Sequence, residues 1–204
     1  MKQYLLIIIL FLLANSIYAQ AKLEAGIKGG LNLATLSSDI GATFESKTGY
    51  HLGAFAMIKA ANVGLQTELL FSAQGSNYSY SSINQRLYAD FTYLILPFLF
   101  KYYLPAGLNL QVGPQFGYLM SAKGIYATKN GSQVNISPGI QDLSDQYKNS
   151  DISAAFGAGW DSPFGFNIVL RYLLGLNNIS LTDSEWKNRV FQVAVGFRLF
   201  EMGR

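Results

Sequence analysis

Eight stretches of roughly 10 to 13 residues, each alternating between apolar and polar or small side chains, constrain this chain more than any other feature. A period of two is the signature of a β-strand with one apolar and one polar face. In residues 22–35, Leu23, Ala25, Ile27, Leu31 and Leu33 fall on one parity. Glu24, Gly26, Lys28, Gly30 and Asn32 fall on the other. In 63–75, Leu65, Leu69, Phe71 and Ala73 oppose Gln66, Glu68, Ser72 and Gln74. In 108–121, Leu108, Leu110, Val112, Phe116, Tyr118 and Met120 oppose Asn109, Gln111, Gly113, Gln115 and Gly117. The segments 91–103, 151–161, 166–176 and 189–200 repeat the pattern less cleanly, and 49–60 carries it weakly.

The connections alternate as strictly as the side chains. Those around Ala61-Asn62, Pro105-Ala106-Gly107 and Ser162-Pro163-Phe164-Gly165 are short. Those at about 36–48, 76–90, 122–150 and 177–188 are long and polar. An even strand number with short turns at one end and long loops at the other is the plan of an outer-membrane barrel. Strands of about 9–11 residues are long enough to cross when tilted. The expected fold is an all-β, eight-stranded antiparallel up-and-down transmembrane β-barrel with short periplasmic turns and long extracellular loops.

A soluble, periplasmic lipocalin-like barrel holding an apolar ligand is the competing reading, with its apolar parity turned inward. Composition favours the membrane. Half the residues are hydrophobic and only 13% are charged, too few for an ordinary soluble surface. The polar parity is rich in Gly, Ser, Asn and Gln, which suits the tight interior of an eight-stranded barrel. Phe71, Tyr102, Tyr118, Trp160, Phe166 and Tyr172 lie near strand ends on the apolar parity, where interfacial girdles belong.

The N-terminus is a processing signal. Lys2 precedes the apolar run at residues 4–14, and Ile17-Tyr18-Ala19 places a small residue before Gln20. That is the order of a secretory signal peptide. The expected division is a signal peptide at 1–19 and a barrel domain at 20–204.

The chemistry available is narrow. With no cysteine there are no disulfides, thiolate metal sites or Cys nucleophile. A single histidine, His51, near the outer end of the second strand, has no G-x-S-x-G nucleophile context. Asp142, Asp145 and Asp151 lie in a polar loop without the spacing of a calcium loop and read as solvated carboxylates. Gly26-x-x-Gly29-Gly30 lies inside a strand and opens no helix, so it reads as close packing and not as a nucleotide fingerprint. A net charge of +3 without a basic cluster gives no footprint for nucleic acid. No enzyme activity, cofactor or metal is expected. Glu24, Lys28, Glu68, Lys101, Arg171 and Arg198 all fall on the inward parity and are expected to pair there, Glu24 with Arg198 across the closing seam.

Five sets of residues stand out as motifs: Gly26-Ile27-Lys28-Gly29-Gly30-Leu31-Asn32, residues 65–72, residues 93–102, Gly113-Pro114-Gln115-Phe116-Gly117, and Arg171-Tyr172 with Gly175-Leu176 and Asn178-Ile179. Together they resemble small PorT-like outer-membrane β-barrel proteins of Bacteroidetes. The likeness covers nearly all of residues 20–204. It implies an eight-stranded barrel in the outer membrane, and for some relatives a link to type IX secretion. It also leads one to expect an acidic residue where this chain has Ile95. The implied partners are outer-membrane lipid, the barrel-assembly machinery during insertion, and a protein met through the outer loops.

Overall fold

Strands whose two faces differ in polarity cannot leave either face in the wrong solvent, and closing the sheet on itself separates the two. The computed structural model describes residues 21–38, 43–80, 85–130, 133–136, 140–181 and 186–203. The N-terminal segment read as a signal peptide lies outside them. The strands are β1 (Lys22–Ser38), β2 (Thr43–Ala60), β3 (Val63–Tyr80), β4 (Gln85–Tyr103), β5 (Leu108–Asn130), β6 (Gln133–Ile136), β7 (Gln141–Asp142), β8 (Ser150–Asp161), β9 (Phe166–Gly175) and β10 (Trp186–Met202). Eight of these form the barrel, each antiparallel to its neighbours, in the order β4-β3-β2-β1-β10-β9-β8-β5. Pairing of β4 with β5 closes the ring. Short β6 and β7 sit in the β5–β8 connection and pair with β5. Among the described residues no helix is long and apolar enough to cross a membrane.

The apolar parity faces out. Ile27, Leu31, Leu52, Leu65, Leu110, Tyr118 and Val195 are all more than half exposed. The opposite parity is buried: Lys28, Asn32, Glu68, Gln111 and Arg171 are 0–3% exposed. A water-soluble barrel would carry these two sets the other way round, and the lipocalin-like alternative falls on this point.

The turns at one end match the three short connections. Ala61 takes a left-handed φ of 49° between β2 and β3, and Pro105–Gly107 forms a single 3-10 turn between β4 and β5. At the other end the expected long connections are shortened by the strands themselves. β1 runs to Ser38 and β2 starts at Thr43, so most of 36–48 is strand. β3 and β4 likewise take up most of 76–90, and β5 extends to Asn130 inside 122–150. Toward this end Leu36, Ala89 and Ala122 turn inward into an apolar cluster, so the inward face is no longer polar. The ladder can continue there without the apolar alternation that marks it in sequence.

Strand lengths differ around the ring. β5 has 23 residues and β4 has 19, whereas β8 has 12 and β9 has 10. The wall on the β3–β5 side therefore rises well past the wall on the β8–β9 side.

Candidate functional site in the barrel interior

Eight strands enclose a space only wide enough for side chains, and glycine decides where large ones fit. A Cβ on Gly30 would lie 2.1 Å from the Val193 carbonyl oxygen and 2.9 Å from Cε1 of His51. The missing side chain makes the room that His51 occupies. The Gly-rich stretch opening β1 thus serves packing.

From the short-turn end inward, the first feature is an open vestibule of about 670 Å³ lined by charged groups of both signs. Glu24 and Arg198 meet here, with Arg198 Nη1 3.4 Å from Glu24 Oε1. Arg198 also holds Glu201 at 2.8 Å, and Glu201 holds Lys22 at 2.8 Å. In the β1–β10 ladder a register shift between Ala25 and Gly26 sets Glu24 opposite Glu201 and Gly26 opposite Arg198.

Deeper in, the other four charged positions form a connected network. Glu68 on β3 accepts two hydrogen bonds from Arg171 on β9, Nη1 to Oε2 and Nη2 to Oε1, both 2.9 Å. It also accepts from Lys28 Nζ on β1 and from Gln66 Nε2 at 2.6 Å. Arg171 donates to Gln111 Oε1 at 3.1 Å, and Gln111 to Asn109 Oδ1 at 2.8 Å. Lys101 bridges to Gln66 Oε1 at 3.3 Å and to Asp161 Oδ2 at 2.8 Å. Tyr103 donates to the same Asp161 oxygen at 2.7 Å. Asp161 is the partner that the sequence reading did not name among the interior charges, although its parity already pointed it inward.

Above this network sits a neutral polar layer. Asn32, wholly buried, donates to Ser72 Oγ at 3.0 Å and to the Ala73 carbonyl at 2.9 Å. Its Oδ1 accepts from Gln192 Nε2 at 3.0 Å and lies 2.8 Å from His51 Nδ1. His51 is 2% exposed. It is not near the outer end of its strand, as expected, but well inside the barrel, because its parity is inward and β2 begins six residues earlier than the alternation suggested.

The long-loop half of the interior is apolar. Leu36, Leu70, Phe91, Tyr93, Ile95, Leu119 and Trp186 project from the strands into one cluster. Leu143, Tyr147 and Ile179 join it from the connections. Tyr147 stacks edge-on against Phe91, with centroids 4.8 Å apart, and against Trp186 at 6.2 Å. Ile95, where the resemblance led one to expect an acid, belongs to this cluster and pairs with Leu70 across β3–β4.

Asp151, read as a solvated loop carboxylate, lies beneath the cluster instead. It is 7% exposed and accepts from Asn188 Nδ2 at 2.8 Å. β8 starts at Ser150, which brings Asp151 into the wall. Asp142 and Asp145 are exposed as expected. The Ser144 hydroxyl and backbone N–H hold the Asp142 carboxyl below its ordinary pKa. Among the described residues no group of three or more His, Cys, Asp or Glu could hold a metal ion.

An apolar outer face, an interior that is ionic in its short-turn half and sealed by apolar side chains in the other, and a closed antiparallel ring define a transmembrane β-barrel of the outer-membrane type. The chain belongs to the outer membrane protein beta-barrel domain family, whose model matches residues 18–181, and it is an outer-membrane protein. No curated protein sequence matches it. Among solved structures it is similar to Ail, the attachment invasion locus protein of Yersinia pestis. The identity there is 15%, 86% of this chain and 98% of that chain are covered, and the TM-score is 0.53. It is also similar to Neisserial surface protein A, at 10% identity over 86% of this chain and 97% of that one with TM-score 0.49. OprG of Pseudomonas aeruginosa matches at 11% identity over 91% and 97%, with TM-score 0.48. At 15% identity the likeness to Ail speaks for the fold alone.

Proposed function

We propose that the protein is a non-enzymatic outer-membrane barrel, closed to solute passage, that acts through its long-loop end as an interaction or structural protein. The observation that carries this reading is the two-part filling of the interior. Glu68 with Arg171 and Lys28 bridges the middle of the barrel, and the cluster around Phe91, Tyr147 and Trp186 fills the space toward the long loops. A charged network of this kind resists opening, because separating its members would strand desolvated charge.

In this reading the long-loop end faces outward and the short turns face the periplasm, following the general plan of such barrels. Export on the segment 1–19, insertion by the barrel-assembly machinery and a protein partner at the outer loops belong to the same proposal. The PorT-like resemblance gives it its narrower form, an accessory role in secretion or surface assembly, with no nucleic-acid partner.

Two measurements test it. Purified barrel in planar bilayers should give a conductance indistinguishable from bare membrane, and steady open-channel currents would refute closure. Crosslinking on intact cells followed by barrel pull-down should recover a partner joined through 140–149. Crosslinks confined to the short-turn end would refute the proposed surface.

A further inference from the structure

The lipid-facing wall is not uniform. At the short-turn end of β1–β5 it contains a recess of about 530 Å³. Its walls are Leu23, Ile58, Leu65, Phe98, Phe100 and Val112, which all face out and are 37–65% exposed. Its floor lies where the sheet is interrupted. The β4–β5 ladder stops at Pro97 opposite Gln115 and resumes at Phe100 opposite Val112. The β3–β4 ladder stops at Thr67 opposite Phe98 and resumes at Leu70 opposite Ile95. Pro97 and Pro114 stand on adjacent strands at this gap, and neither can donate to a ladder. Next to Pro114, a Cβ on Gly113 would come 1.9 Å from the Phe98 carbonyl oxygen, so glycine alone allows the two backbones to approach this closely.

We infer that this recess is a lipid-binding site that seats one acyl chain of a phospholipid from the leaflet at the short-turn end. A convex barrel wall ordinarily meets lipid as a smooth surface, whereas this hollow has the volume of a small-molecule site. Water does not fill an apolar recess opening into hydrocarbon, so a hydrocarbon chain is its occupant. The direction of entry follows from register. Lys22 and Lys59 are cross-strand partners one step beyond Leu23 and Ile58, so the hollow begins at the interface and runs inward. Thr67, whose Oγ1 has no hydrogen-bond partner among the described residues, sits at the inner end.

The test uses the full barrel reconstituted in vesicles of phosphatidylethanolamine and phosphatidylglycerol, extracted in mild detergent and weighed by native mass spectrometry. The wild type should retain one phospholipid. Thr67→Leu and Val112→Trp fill the recess from floor and wall, and each should lower the retained fraction at least about tenfold. Leu170→Trp, lipid-facing on β9, should retain lipid as the wild type does. Heat-modifiable migration on gels verifies that each variant is folded. The inference is overturned if the wild type retains none, if the filled variants retain as much, or if Leu170→Trp loses as much. In barrel extracted directly from cells, a retained mass matching lipopolysaccharide would also overturn it.

Discussion

Arg171 on β9 and Glu68 on β3 meet across the full width of the barrel. Their strands lie four places apart in a ring of eight, and the two side chains are joined by two parallel hydrogen bonds of 2.9 Å. Such fork-to-carboxylate geometry is the strongest form of side-chain hydrogen bonding. Both residues are 1–2% exposed, so neither can be rescued by water when the other is lost.

Glu68→Gln should therefore destabilise the barrel by about 3–5 kcal/mol, because Arg171 and Lys28 are left facing one another without a counter-charge. Replacing Lys28, Glu68 and Arg171 together by Met, Leu and Met should cost far less, since no stranded charge remains. Urea unfolding in detergent followed by the fluorescence of Trp160 and Trp186 reads both. Equal losses in the two variants would remove the network as a stabilising unit.

The Glu24–Arg198 contact is a weaker matter. Arg198 is shared with Glu201, and its side chain is 23% exposed at the open vestibule. A double-mutant cycle with Glu24→Gln and Arg198→Gln should give a coupling of about 0.2–1 kcal/mol, the range of solvent-exposed pairs. A coupling near that of a buried pair would mean the vestibule is drier than its open shape implies.

Tyr147→Ala should loosen the long-loop end without unfolding the wall. Removing an aromatic side chain from a packed cluster costs about 3–5 kcal/mol. Tyr147 reaches the cluster from a connection, so the loss should appear as faster hydrogen exchange at 140–149. The β1–β10 ladder should stay protected. Uniform deprotection of the whole barrel would show that the cluster and the wall are one cooperative unit.

Sidedness has a clean chemical test, because the chain has no cysteine of its own. Asp145→Cys should react with an impermeant maleimide on intact cells. Phe164→Cys, in a turn residue that is 84% exposed, should react only after the outer membrane is breached. The opposite pattern would invert the topology.

Removing residues 195–204 should abolish insertion. The cut takes away the partners of Leu23 through Gly29 and leaves an open edge in lipid. Heat-modifiable barrels from the truncated chain would contradict the closure of β1 on β10.

Parity made the barrel legible, and it also set the limit of what could be read. Where one face is apolar and the other polar, as in β3 and β5, each side chain's direction followed from its position. In β2 the alternation is weak because the inward residues Phe55 and Met57 are as apolar as their outward neighbours Leu52 and Ile58. The same holds for Phe91, Tyr93 and Ile95 in β4, so the apolar half of the interior had no polar face to announce it. Leu143, Tyr147 and Ile179 come from irregular segments, where no period tells a buried side chain from an exposed one. Asp161 shares the inward parity of Lys101, its partner in the structure. What was missing was the register that sets the two at one depth.

The unequal strand lengths have a geometric consequence for anything that docks from outside. β5 exceeds β9 by 13 residues, which is about 43 Å along the strand at 3.3 Å per residue. The rim is thus a slope with a backboard. On its low side, over β8 and β9, the connections at 140–149 and 176–181 are tied to one another and to the strand ends, so a visitor descending on the barrel meets those two segments with the β3–β5 wall standing behind them.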